Sequence, residues 1–325
     1  MDLKTPFPRL KYAEAMARFG CDKPDTRFGM ELADITEQVK DCQFKIFQEA
    51  VRKGGRVIAL CATGCGGYSR GQIDQLIEFV KEYGARGLAN FRAEAGSLSS
   101  QIDKFFSKSE LSAIMKASGA RDGDMIFIVA DSGKVAYDSM AALRKFLGRK
   151  LGLIDDKRFD LLWITDFPLF KYNDEEKRWE SEHHPFTSVH PDDTGLLERG
   201  ESLDRVRSRS YDLVINGTEI GSGSIRIHDR KLQEVIFKTI GISDDEARIR
   251  FGFLLDAFRY GAPPHGGVAF GLDRLMTFFV GCDSIRDVIA FPKTQKAFCP
   301  MTNAPSPVDD RQLKELSIKT TANTK

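Results

Sequence analysis

Long apolar runs are missing from this chain. No stretch approaches the roughly 18 consecutive apolar residues of a membrane-spanning helix, and the first ten residues, MDLKTPFPRL, hold nothing like the apolar core of a signal peptide. Cysteines are few and scattered. Of Cys21, Cys42, Cys61, Cys65, Cys282 and Cys299 only Cys61 and Cys65 are close, with no second pair or histidines to complete a zinc site. Reduced thiols are therefore expected. An excess of charge is absent too: 48 basic residues against 47 acidic leave +1, so no global field draws the chain to nucleic acid, and any RNA contact must come from local patches. With 42% hydrophobic and 29% charged residues over 325 positions, a disordered or fibrous class is excluded and there is length for two domains. A soluble, cytoplasmic protein without membrane contact is the expectation.

The stretch that organises the rest is residues 211–228, YDLVINGTEIGSGSIRIH. Alternation runs from Tyr211 to Ile215, Asn216-Gly217 interrupts it, and it resumes at Thr218, Glu219 and Ile220, which predicts a hairpin with a two-residue turn. Ile215 then faces Thr218 and Val214 faces Glu219, so Glu219 shares a sheet face with Asp212 one diagonal step away, roughly 7–8 Å at Cβ. Two carboxylates so placed repel unless a cation lies between them, and a magnesium ion held by one or two carboxylates plus substrate phosphates resolves the conflict. The plain alternative is a pair of solvated acids on an open sheet face. By strict alternation Arg226 falls on the face opposite Glu219. A shared pocket requires a one-residue slip, for which Gly221 and Gly223 offer a bulge or a close backbone approach.

Along the chain, residues 1–35 read as a connector and a short helix (Leu10, Ala13, Met16, Ala17, stopped by Gly20), then a charged turn around Pro24. Residues 36–148 mix strands and helices into a self-sufficient α+β module: strand texture at 55–61 and 124–130, capping boxes at Ser69/Gln72 and Ser107/Glu110, and a last helix carrying Met140, Leu143, Phe146 and Leu147. The loop Thr63-Gly64-Cys65-Gly66-Gly67 lacks the ending of a P-loop and reads as a structural turn. Residues 149–325 return to strand texture at 161–167. His183-His184-Pro185 follows, extended because of the proline, with the two imidazoles pointing to opposite sides, each a structural or a ligand-contacting histidine. Phe251, Phe253, Leu254, Leu255 and Phe258 predict a heavily buried helix, and Val268-Ala269-Phe270 a buried strand. Gly271-Leu272-Asp273-Arg274 opens a further helix whose Leu275, Met276, Phe278 and Phe279 read as core. An arginine in a helix's first turn, beside the positive end of the dipole, suits polyphosphate; a surface arginine over a core helix is the other reading. The polar end, 319–325, reads as a disordered tail.

GVAFGLDRL at 267–275 resembles motif 3 of class II aminoacyl-tRNA synthetases. Residues 211–227, with HHPFT at 183–187, PPHGG at 263–267 and DKPD at 22–25, resemble the bacterial-type aspartyl enzymes, and the similarity runs from Phe7 to Ile318 in unbroken order. The resemblance implies an α+β fold: an antiparallel-sheet catalytic core, incomplete because motifs 1 and 2 are absent, with residues 36–148 as the inserted domain shared with GatB-type amidotransferase subunits. It implies an aspartate-tRNA ligase using ATP and Mg2+, in which Arg274 meets the ATP phosphates, Gly271, Leu272 and Asp273 line the nucleotide site, and Asp212 and Glu219 share the magnesium. Arg226 pairs bidentately with the aspartate side chain, while His183 and the Gly267 backbone contact the amino acid. Adenylation depends on positioning and charge neutralisation, so no catalytic triad is expected. L-aspartate, ATP and tRNA are the implied partners, with a homodimer in the intact enzyme. With half of the site wall lacking, the chain is expected to be a C-terminal part that does not form aspartyl-adenylate alone. A split enzyme completed by a second chain is a further reading; a non-catalytic regulatory paralogue fits less well, because Asp212, Glu219, Arg226 and Arg274 are all retained.

Overall fold

The computed structural model describes residues 3–321. β1 (Arg9–Lys11) runs into α1 (Tyr12–Phe19), which Gly20 ends in the left-handed conformation. Then come β2 (Leu32–Asp34), α2 (Thr36–Val39), α3 (Lys45–Arg52), β3 (Arg56–Ala62), α4 (Arg70–Lys81), β4 (Ala89–Glu94), β5 (Ser97–Ser99), α5 (Lys108–Ser118), β6 (Met125–Asp131) and α6 (Gly133–Lys150). β2 to β6 form one antiparallel sheet in the order β2-β3-β6-β4-β5. Ser69 with Gln72, and Ser107 with Glu110, close the two capping boxes that start α4 and α5.

Both faces of this sheet are covered. Leu60, Phe127 and Val129 pack on Val80 of α4 and Met140 and Leu143 of α6, while Val57, Phe91, Ile126 and Ile128 pack with Phe47 of α3 and Ile114 of α5. Hence the strands RVIALCA and MIFIVAD are almost continuously apolar, a texture more usual in parallel sheets. The turn after β3 is structural: Gly64 N–H donates to the Asp124 carboxylate (2.9 Å), and a Cβ at Gly66 would strike the Gly123 carbonyl.

The elements that follow are β7 (Leu161–Thr165), β8 (Phe170–Asn173), β9 (Arg178–Ser181), α7 (Thr194–Arg199), β10 (Ser210–Ile215), β11 (Thr218–Ile225), α8 (Arg230–Thr239), α9 (Asp244–Phe258) and β12 (Gly266–Phe270), and β1 joins four of these strands in a second sheet. Its order is β1-β7-β10-β11-β12, parallel only between β1 and β7, with β8 and β9 a separate hairpin. Leu162, Ile164 and Val214 pack under it with Ala15 and Phe167. The architecture is mixed α+β with antiparallel sheets. By contacts the chain divides into Met1–Phe270 and Gly271–Lys325; the second unit carries α10 (Leu272–Val280) and α11 (Asp310–Glu315). No helix among the described residues is long and apolar enough to cross a membrane.

Three expectations of burial fail. Phe253 of α9 is 80% exposed, every residue of β12 is exposed, and Phe279 of α10 is 65% exposed. Apolar periodicity specifies a face that favours cover, not that a given stretch of chain provides it. Residues 322–325 of the polar end lie outside the described residues.

Candidate active site

Asn216 and Gly217 turn β10 into β11 with φ of 49° and 82°, left-handed values that asparagine and glycine tolerate. The Asn216 side chain accepts from Asp160 N–H and donates to the Arg158 carbonyl, both at 2.9 Å. Ile215 pairs with Thr218 and Val214 with Glu219, as the turn dictates, but Leu213 then pairs with Gly221 and Asp212 with Ser222. Ile220 is therefore the extra residue of a β-bulge. Beyond it the side-chain alternation is inverted, so Ser222, Ser224 and Arg226 fall on the face of Asp212 and Glu219. The required slip exists, one residue before the glycines proposed for it. Those glycines allow close approach instead: a Cβ at Gly223 would collide with the Gly267 carbonyl oxygen, and one at Gly221 would lie 2.9 Å from the Phe270 ring.

Asp212 is 4% exposed, and its Oδ1 has no hydrogen-bond partner among the described residues. Burial pushes its pKa up; the Ser222 hydroxyl and the nearby His183 pull it down, and Glu219 adds repulsion. Glu219 lies 3.5 Å from Lys23 Nζ. A buried carboxylate oxygen without a donor, next to a second carboxylate, fits a hard divalent cation. No group of three or more potential metal ligands occurs among the described residues, so water and substrate oxygens would have to complete the coordination.

Arg226 is half-buried on the same face, its backbone N–H bonded to the His265 carbonyl (2.9 Å). Its guanidinium reaches His184 Nδ1 at 3.3 Å, to which Phe186 N–H also donates (3.2 Å). With two donors on Nδ1 the ring is neutral and carries its proton on Nε2, towards Thr187 Oγ1 at 3.4 Å. Burial, then the charges of Arg226 and His183, press the His184 pKa down to about 4. His183 is exposed, edge-on to Phe167, with Nδ1 3.4 Å from Ser210 Oγ. It also walls an open groove of about 670 Å³ with Glu180, Phe186 and Phe251. The two imidazoles thus serve different neighbours, His183 near Asp212 and His184 on Arg226. Gly267 accepts the Tyr211 hydroxyl through its carbonyl (3.0 Å).

In the second unit Gly271 is the N-cap of α10 and supplies no side-chain cap; Leu272, Asp273 and Arg274 form the exposed first turn, and Thr277 donates to the Arg274 carbonyl (2.7 Å). A glycine cap leaves the first-turn N–H groups to an external acceptor. Sequence reasoning missed His184 as the partner of Arg226, and Lys23, although both lie in motifs it had singled out, HHPFT and DKPD. A cavity of about 770 Å³ in the first module is larger than the groove, but two of its three acids, Glu49 and Asp131, already face Lys53 and Arg86, and it contains none of these residues. Size alone does not mark the site.

A family model described as tRNA synthetases class II (D, K and N) matches residues 1–295, and the chain belongs to that family. Its curated relatives narrow the family to one branch. The chain is 54% identical over 315 residues to the aspartate--tRNA(Asp/Asn) ligase of Geotalea uraniireducens, covering 97% of this chain and 53% of the relative. The corresponding ligase of Syntrophotalea carbinolica is 52% identical over 320 residues (98% and 53%), and the aspartate--tRNA ligase of Clostridium botulinum 49% over 319 (98% and 54%). The chain spans about half the length of the curated relatives it matches.

Proposed function

We propose that this chain carries the metal-binding and aspartate-recognising face of an aspartate-tRNA ligase. Asp212 and Glu219 hold the Mg2+ of ATP, Arg226 clamps the aspartate side-chain carboxylate with His184 behind it, and His183 and the Gly267 backbone line the amino-acid site. Arg274, with Gly271, Leu272 and Asp273, contributes the phosphate-binding helix start. Mg2+ held there would supply charge neutralisation on the phosphates of ATP, whose α-phosphorus the aspartate α-carboxylate attacks with loss of pyrophosphate. The chain's residues position and neutralise, and none needs to act as nucleophile or base. Residues 36–148 are the inserted α+β domain, between residues 1–35 and 149–325 of the catalytic core. Transfer to tRNA, and the homodimer, belong to the complete enzyme.

The observation that carries this reading is the bulge at Ile220, which gathers two carboxylates and an arginine onto one face. Arg226 has no carboxylate partner among the described residues, as expected of a group reserved for a ligand acid. Calorimetric titration of the purified chain with Mg2+·ATP and with L-aspartate tests it. Saturable binding of both, with no uptake of ATP when EDTA replaces Mg2+, is expected; binding of neither would overturn it.

A further inference from the structure

The loop 21–30 joins α1 to β2 and touches both sheets' modules. From one side it is gripped by Arg144 of α6, only 3% exposed. Arg144 Nε donates to the Met30 carbonyl (3.0 Å), and Nη2 donates to the carbonyls of Asp25, Phe28 and Gly29 at 2.9–3.0 Å. Its guanidinium lies over Phe28 (4.1 Å) and Phe19 (4.9 Å). The ring of Phe28 fits only because position 148 is glycine, where a Cβ would come within 2.6 Å of it. Burial draws the Arg144 pKa down to about 10, still a cation at neutral pH.

The other side of the loop meets the catalytic hairpin. A Cβ at Gly217 would lie 3.4 Å from Asp25 Cβ and 3.7 Å from the Lys23 carbonyl. Thr26 donates to the Asp160 carboxylate (3.1 Å), and the Asp160 backbone N–H donates to the Asn216 side chain. Lys23, projecting from this strap, is the residue whose ammonium stands 3.5 Å from Glu219.

We propose that Lys23 is a further substrate-binding cation of this site and that Arg144 is a positioning residue that holds it there, so that the first module sets a charge in the active site. The proposal rests on the function proposed above in taking a magnesium-bound triphosphate as the ligand. Lys23 neutralises Glu219 in the absence of metal; once a metal takes the carboxylate, the ammonium turns to the phosphates, which one divalent cation leaves with net negative charge. A buried arginine bound to carbonyl oxygens alone is an expensive way to stabilise a helix, but it fixes a loop in one conformation.

Mg2+·ATP affinity and amide hydrogen exchange, measured on Lys23→Met, Arg144→Met, Arg144→Lys and the Lys23→Met/Arg144→Met pair, test this. Lys23→Met is expected to weaken Mg2+·ATP about tenfold at unchanged Tm. Arg144→Met should produce a similar loss together with faster exchange confined to residues 21–30 and 215–222, and the double variant should lose no more than either. Arg144→Lys, which keeps the cation over the rings, should recover part of the affinity, and it carries the test should Arg144→Met not fold. Unchanged affinity, additive losses, or exchange rising equally in β3 and β6 would overturn the proposal. If Mg2+·ATP fails to bind the unaltered chain, the proposed function fails instead. The exchange pattern, which needs no ligand, then decides the Arg144 coupling: no rise at 215–222 would sink it.

Discussion

The Asp212 carboxylate is buried with one oxygen unpartnered among the described residues, an arrangement that costs stability and that the proposed cation would relieve. Asp212→Asn is expected to raise stability by about 1 kcal/mol in urea unfolding while abolishing Mg2+-dependent ATP binding; a destabilised variant that still binds would contradict the assignment. Arg226→Lys replaces a planar fork with a point charge, and L-aspartate affinity by calorimetry should fall at least tenfold with Mg2+·ATP affinity unchanged. His184 makes stability depend on pH. Its folded pKa of about 4 lies below the unfolded value of about 6.5, so as pH falls through that window the unfolded chain takes up a proton that the native state refuses. Stability should drop by roughly 1–3 kcal/mol between about pH 6.5 and 4, allowing for partial exposure, and then level off. Tm profiles of His184→Gln should lose that slope.

The decisive element is the hairpin β10–β11. Its turn was legible because Asn216-Gly217 has few other uses between alternating runs. That a slip was needed was legible too, from the parity of Glu219 and Arg226. Its position was not, because Ile220 is an ordinary strand residue and the choice between it and the glycines depends on what β12 presses against: Gly223 is already committed to the Gly267 carbonyl. Insertion of one alanine between Ser224 and Ile225, beyond the bulge, should shift the alternation by one and send Arg226 to the opposite face. L-aspartate binding should vanish, while hydrogen-exchange protection of β3 and β6 stays as in the unaltered chain. Retained binding would mean that the alternation set by the bulge does not assemble the site.

Across the whole molecule, the alternation of strands and helices over residues 36–148 and its capping boxes were readable because they are local, whereas the pairing order β2-β3-β6-β4-β5 depends on contacts distant in sequence. The exposure of α9, β12 and α10 was misread for a related reason: a run such as Phe251 to Phe258 has the same composition whether its cover is near or absent. The candidate carboxylates and Arg226 were legible from strand alternation and their expected roles from a resemblance, and the structure adds that Asp212, Glu219 and Arg226 share one face, with Lys23 and His184 as neighbours. The most direct measurement is a crystal structure of the chain soaked with Mn2+ and ATP, read by anomalous scattering. The account predicts one manganese peak within coordination distance of both the Asp212 and Glu219 carboxylates, with phosphate density beside it; a peak held elsewhere, with these two carboxylates bound only to water or protein, would contradict it.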